Sequence, residues 1–156
     1  MGSATEAAAA AIYEFYEALD ITLRGDPSAM ERAWHHTDYV VTVHPFGHWA
    51  SGWPEVWATW REIAAVFGLY KGHVGRSERI GGISQLKMGL QGDAAYGASV
   101  FESKLYLPDG ARSLRVNCTN VVHKIDGQWK IVHHHSDQAP ADWTAAIGRL
   151  VEAGQQ

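Results

Sequence analysis

The chain has one cysteine, Cys118, in 156 residues, which excludes an internal disulfide and a cysteine-rich zinc site. It also lacks any apolar run approaching the roughly 18–20 residues of a membrane span, so no membrane partner is expected. Cations do not dominate: 13 Lys and Arg stand against 17 Asp and Glu, giving a net charge of −4 with histidines neutral. No basic stripe appears, so nucleic acid is not an expected partner. The stretch "ATEAAAAAIYEF" lacks the basic start and long aliphatic centre of a signal peptide, which makes a cytoplasmic location the default expectation. Repeats, linkers and low-complexity tracts are missing beyond the alanine run. The length suits one domain with one sizeable core, expected over residues 1–156 with an ordered part near 5–150.

Two residue types are abundant: nine histidines and seven tryptophans. Most lie between residues 34 and 60 or between 123 and 143, a clustering that suggests a lined cavity, although tryptophans also fill cores. Ile12, Phe15, Tyr16, Leu19 and Leu23 recur at helical spacing and predict an amphipathic helix ending near Gly25. Asp26-Pro27 predicts the start of a short second helix through Trp34, with Pro27 at a favourable first position. Residues 38–44 alternate as a short strand. Ser51-Gly52-Trp53-Pro54-Glu55 opens a third helix whose Trp53, Trp57, Trp60, Ala64 and Phe67 share a face.

From about His73 the period changes to two. Strands are expected near 73–90, 94–107, 111–125 and 128–136, with turn signals at Pro108-Asp109-Gly110 and Asp126-Gly127. Three helices followed by a meander of long strands is an α+β plan, in which helices cover one face of a curved sheet and leave a pocket between.

Two motifs, "VTVHPFG……SGWPEVWATW" and the closing "DGQWKIVHHHSD", resemble the nuclear transport factor 2-like superfamily, in particular its SnoaL-like and ketosteroid isomerase-like domains. The resemblance covers about residues 5–140. It implies a cone-shaped curved antiparallel sheet wrapped around N-terminal helices, the cystatin-like α+β barrel. Ketosteroid isomerases carry their general base, an aspartate, immediately before a Pro-Phe-Gly; here His44 precedes Pro45-Phe46-Gly47. The same resemblance puts Tyr13 or Tyr16 near the oxyanion tyrosine, with Tyr16 the better match. It maps the second oxyanion acid to about Val121, where no carboxylate stands, so steroid isomerisation is not expected.

A histidine's ordinary pKa near 6.5 suits proton exchange around neutral pH, and a tyrosine hydroxyl in the same cavity would stabilise a developing enolate or alkoxide. His44 as base and Tyr16 as donor are thus the candidate pair, against the alternative that His44 is a core histidine bonded to backbone. In the His133-His134-His135 run the outer two share one face of a strand and the middle one takes the other. Alternation from Trp129 turns His133 and His135 inward with Ile131, whereas the isomerase pattern turns Val132, His134 and Ser136 inward. A β-bulge would reconcile them. His134 and His135 are therefore carried as catalytic candidates and His133 as a substrate contact, with a polar dimer face as the alternative. His44, His133 and His135 would also make a three-imidazole site for a divalent metal.

Asn117 and Thr119 share a face and are candidate substrate contacts if it looks inward; Glu102 pairs with Arg115 if theirs is solvated. Trp34, Trp49 and Trp53 are expected to flank the pocket mouth, with Trp57 and Trp60 filling core. His35, His36, His48, His73 and His123 are expected at the rim or surface. The resemblance implies a cofactor-free proton-transfer enzyme, an isomerase, cyclase or lyase, for an apolar cyclic or polyketide-like small-molecule substrate, and a homodimer formed through the outer sheet face. A histidine-ligated metal protein and a non-catalytic ligand-binding or oligomerisation domain are the alternatives.

Overall fold

The computed structural model describes residues 3–69, 79–107 and 109–154. Helix α1 (Ala4–Thr22) begins at a capping box: the Ser3 hydroxyl accepts from the Glu6 N–H, and the Glu6 carboxylate accepts from the Ser3 N–H. Its buried stripe, Ala8, Ile12, Phe15, Tyr16 and Leu19, lies against the sheet, as the helical spacing predicts. Gly97 permits the close approach, since a Cβ there would stand 2.5 Å from Ile12 Cδ1. Helix α2 (Ser28–Ala33) follows, with the Asp26 carboxylate accepting from the Ser28 N–H and Pro27 one position outside the helix.

The strands are β1 (Val41–Val43), β2 (Trp49–Ser51), β3 (Gly81–Gln91), β4 (Ala94–Leu107), β5 (Gly110–Ile125) and β6 (Gln128–Ser136). They form one sheet in the order β2-β1-β6-β5-β4-β3. Pairing is antiparallel except between β1 and β6, which run parallel because the chain enters β6 from the far side of the sheet. The sheet is curved and does not close, so its barrel-like character is partial. The α+β plan holds, and β4 to β6 fall where the period-two pattern puts them. The part of the first long strand expected over 73–78, and His73 with it, lies outside the described residues.

Helix α3 (Trp53–Gly68) buries Val56, Trp60, Ile63 and Phe67. A fourth helix, α4 (Ala141–Gly154), was not anticipated; it buries Trp143, Ala146 and Leu150, whose spacing is helical and follows Pro140. Among the described residues no helix is long and apolar enough to cross a membrane. At the sheet's other end the buried Asp20 carboxylate accepts from the Ile80 N–H at 2.5 Å and the Gly81 N–H at 3.1 Å, while Arg24 pairs with its second oxygen at 3.0 Å. That carboxylate fastens α1 to the start of edge strand β3.

Candidate active site

Between α1, α3 and the concave sheet face lies a cavity of about 40 Å³, room for a few water molecules. Its walls are mostly apolar: Leu19, Leu23, Phe46, Ile63 and Phe101 among them. The polar side chains that reach it are His44, His134, Ser103, Ser136 and Cys118.

His44 stands just past β1, at the start of the turn closed by its own N–H to the His48 carbonyl at 3.0 Å. Pro45 follows, so the ladder stops there. The imidazole is buried, 4.3 Å centre to centre from the Trp60 ring and edge-on to it. Its Nε2 lies 2.8 Å from the Thr59 hydroxyl, which itself donates to the Val56 carbonyl. Thr59 therefore accepts, Nε2 carries the proton, and Nδ1 keeps the lone pair. Burial above all, then the neighbouring His134 and His48, holds His44 well below its ordinary pKa of 6.5. The ring is neutral at pH 7.

His134 faces the same cavity. The reason is a β-bulge: Val121 pairs with His133 but Val122 pairs with Ile131, leaving Val132 as the extra residue. Ile131 and Val132 are both buried, and the inward set switches from Ile131 to Val132, His134 and Ser136. The reconciling bulge is thus present, and of the three consecutive histidines the middle one is inside. The Asn120 amide donates to His134 Nδ1 at 3.2 Å, and its carbonyl oxygen accepts from the Tyr16 hydroxyl at 2.7 Å. His134 is therefore the Nε2–H tautomer, pushed down to about 3 by burial and then by His133 and His135. Its ring centre is 6.3 Å from that of His44.

Several expected placements are corrected. Tyr16 does not line the cavity; it sits behind His134, its hydroxyl bonded to Asn120 and its ring stacked on Phe101. Burial, then the adjacent Cys118, raises its pKa, so the phenol stays protonated. Asn117 and Thr119 point to the outer face, because the apolar parity of β5 is Leu114, Val116, Cys118 and Val122. Asn117 instead bonds Asp137. His133 and His135 also lie on the outer face, where His133 Nδ1 bonds the Val41 carbonyl at 3.1 Å. A metal site of His44, His133 and His135 cannot form, since the sheet separates the first from the other two. Among the described residues no three His, Cys, Asp or Glu side chains converge as metal ligands.

The aromatic mouth is also different. Trp49 is 69% exposed on β2, Trp34 is buried between Phe15 and Trp60, and Trp53 stacks on His36 and Trp57. None of the three lines the cavity, whereas Trp60 does. His48, expected at the rim, is half-buried with its ring centre 5.5 Å from that of His44 and its Nε2 3.5 Å from Glu62. His35 bonds the His123 carbonyl, and Glu102 faces Arg115 at 3.5 Å on the solvated side, as expected. Asn120 is the residue that sequence reasoning missed. Its signal was available: it is the one amide on the apolar parity of β5, next to the Val121 position to which the isomerase pattern mapped an acid.

Solved structures share this architecture. A Streptomyces avermitilis protein, a candidate dehydratase of the NTF2-like family, is 22% identical, with a TM-score of 0.67 over 87% of this chain and 96% of that one. An NTF2-like superfamily protein from Salmonella enterica is 19% identical, with a TM-score of 0.65 over 85% and 87%. A CaMKII hub from S. rosetta is 17% identical, with a TM-score of 0.61 over 90% and 99%. At these identities the likeness is one of fold. No curated protein matches the sequence. The family match itself spans residues 8–141, so this chain belongs to the SnoaL-like domain family.

Proposed function

We propose that the cavity is the active site of a cofactor-free enzyme that moves a proton on a small apolar molecule, as an isomerase, cyclase or dehydratase does. The observation that carries this is the pairing of opposite proton roles in one apolar space: His44 offers a lone pair at Nδ1, and His134 offers a proton at Nε2. A substrate with a hydrogen α to a carbonyl would lose that proton to His44 while His134 hydrogen-bonds the developing enolate oxygen. Return of the proton to another carbon gives isomerisation, and departure of a β-hydroxyl as water, carrying the proton that His44 took up, gives dehydration. A base held so far below its ordinary pKa is unprotonated but weak, so the donor opposite it is needed to make the carbon acid reactive. The family match and the Streptomyces protein described as a candidate dehydratase support this class of chemistry.

The test is deuterium incorporation, followed by NMR in D2O, into a panel of ketones graded in size from acetone to cyclic and aryl ketones, the larger of which require the cavity of about 40 Å³ to widen. The wild-type protein should accelerate exchange for at least one ketone, and His44→Ala should lower that rate about 100-fold or more. Acceleration unchanged by His44→Ala, or none for any ketone, sinks the proposal. A second reading, a non-catalytic association domain, draws on the likeness to CaMKII hub and association domains. Copies would then meet through the outer sheet face, where Ala98, Val100 and Val121 lie beside Tyr96. Native mass spectrometry decides between a dimer, as expected for the enzyme, and a larger ring.

A further inference from the structure

On the outer face of the sheet, away from the cavity, His133 and His135 stand two residues apart on β6. Their ring centres are 6.0 Å apart and the rings are nearly perpendicular, at 83°. With Asn117, Thr119 and Asp137 they border an open depression. Among its described lining residues the Asp137 carboxylate is the one formal charge, and no Lys or Arg is there to repel a cation. His133 Nδ1 lies 3.1 Å from the Val41 carbonyl, which can only accept, so Nδ1 carries the proton and Nε2 keeps its lone pair. Metal-binding imidazoles are fixed in this way, by the second nitrogen donating to a backbone carbonyl. Burial above all holds the pKa of His133 below 6.5, so near neutral pH no proton blocks that lone pair. His135 is exposed, and no described group bonds its ring.

A metal bound to an imidazole nitrogen at about 2.0–2.1 Å lies roughly 3.2 Å from the ring centre, so two imidazoles on one ion have centres at most about 6.4 Å apart. The 6.0 Å spacing of His133 and His135 is within that reach, and the exposed His135 ring can turn closer. We infer that these two residues form a two-imidazole site for a late first-row divalent cation, copper(II) most tightly, on the opposite side of the sheet from the cavity. Imidazole suits copper, nickel and zinc, and copper(II) heads their order of affinity. Among the described residues no third His, Cys, Asp or Glu side chain joins the pair, so water fills the remaining positions. His134 lies between the two in sequence, with its ring buried on the other face. An ion on the outer pair would add positive charge behind His134 and further disfavour its protonation.

The site is independent of the proposed reaction, and its test needs no substrate. Copper(II) chloride is titrated into the full, tag-free chain at pH 7.5 and followed by electron paramagnetic resonance. One tight ion per chain is expected, with hyperfine splitting from two nitrogens. His135→Ala removes a ring without breaking a described bond, and it should weaken binding about tenfold or more, as should His133→Ala. His123→Ala, on the neighbouring β5, should leave the affinity unchanged. Half an ion per chain with four nitrogens would also support the pair, acting from two copies. Uptake no tighter than that of a variant lacking both histidines, or an affinity unchanged in each single variant, overturns the inference.

Discussion

At the scale of single residues, the site depends on which nitrogen of each imidazole holds its proton, and neighbours that never touch a substrate decide that. Thr59 accepts from His44 Nε2 because its own hydroxyl proton is committed to Val56. Asn120 presents its amide to His134 Nδ1 because its carbonyl oxygen is committed to Tyr16. Removing the Tyr16 hydroxyl leaves a buried amide oxygen unpaired and frees Asn120 to flip. Tyr16→Phe should cost about 1–3 kcal/mol of stability in urea melts. Its rate of ketone exchange should fall with kcat rather than KM, since the phenol does not line the cavity. A variant whose stability is unchanged would show that the bond contributes nothing net. These pairings were only half legible in the sequence. The motif before Pro45-Phe46-Gly47 marks His44, but a hydroxyl four residues beyond Glu55 says nothing about a tautomer until α3 brings it to the ring.

At the scale of elements, the decisive feature is one extra residue in β6. Straight alternation from Trp129 turns His133 and His135 inward, and the bulge at Val132 turns them out. Periodicity identified the strand and one alternative, and the isomerase resemblance supplied the other, but the position of a bulge is set by pairing with β5, which one strand's sequence does not contain. The parity of β5 was more accessible: Leu114, Val116, Cys118 and Val122 mark the buried side, and Asn120 sits among them. Tryptophan number likewise misled, because Trp34 and Trp60 are equally apolar in sequence and only the packing of α2 and α3 puts one behind the other. The register makes a direct prediction. Brief treatment of the native protein with diethyl pyrocarbonate should modify the exposed His135 and spare His134 and His44, as located by peptide mass spectrometry. Modification of His134 before His135 would mean that the bulge is misplaced. Helix α4 is tied in through Ala139, whose N–H donates to the Pro45 carbonyl at 2.8 Å, and through Trp143, whose ring centre is 6.1 Å from Phe46. Phe46 lines the cavity, so Trp143→Ala should loosen that wall and cost about 3–5 kcal/mol of stability by urea titration.

For the whole molecule, two histidines buried neutral make stability depend on pH in one direction. Folded His44 and His134 stay unprotonated below 6.5, whereas in the unfolded chain they take up protons there. The unfolded state therefore binds more protons, and stability falls as pH drops below 6.5 toward the folded value of about 3 for His134. The slope approaches about 1.4 kcal/mol per pH unit for each histidine. Urea midpoints should be level above pH 7.5 and decline from pH 6 to 5, and His134→Gln should flatten the decline. A wild-type midpoint that rises on acidification would contradict burial in the neutral form. The sequence showed the α+β plan from its change of period, but not how the parts are locked together. Tyr16 and Asp20 stand one turn apart on α1. The first is bolted to Asn120 behind His134, the second to the Ile80 and Gly81 amides where the edge strand begins. Helix α1 is thus a rod pinned at two points to one curved surface. Edge strand β3 and the amide that orients His134 are tied to successive turns of one helix, so a shift of β3 along the sheet would pull on the Tyr16–Asn120 bond and on the imidazole that faces the cavity.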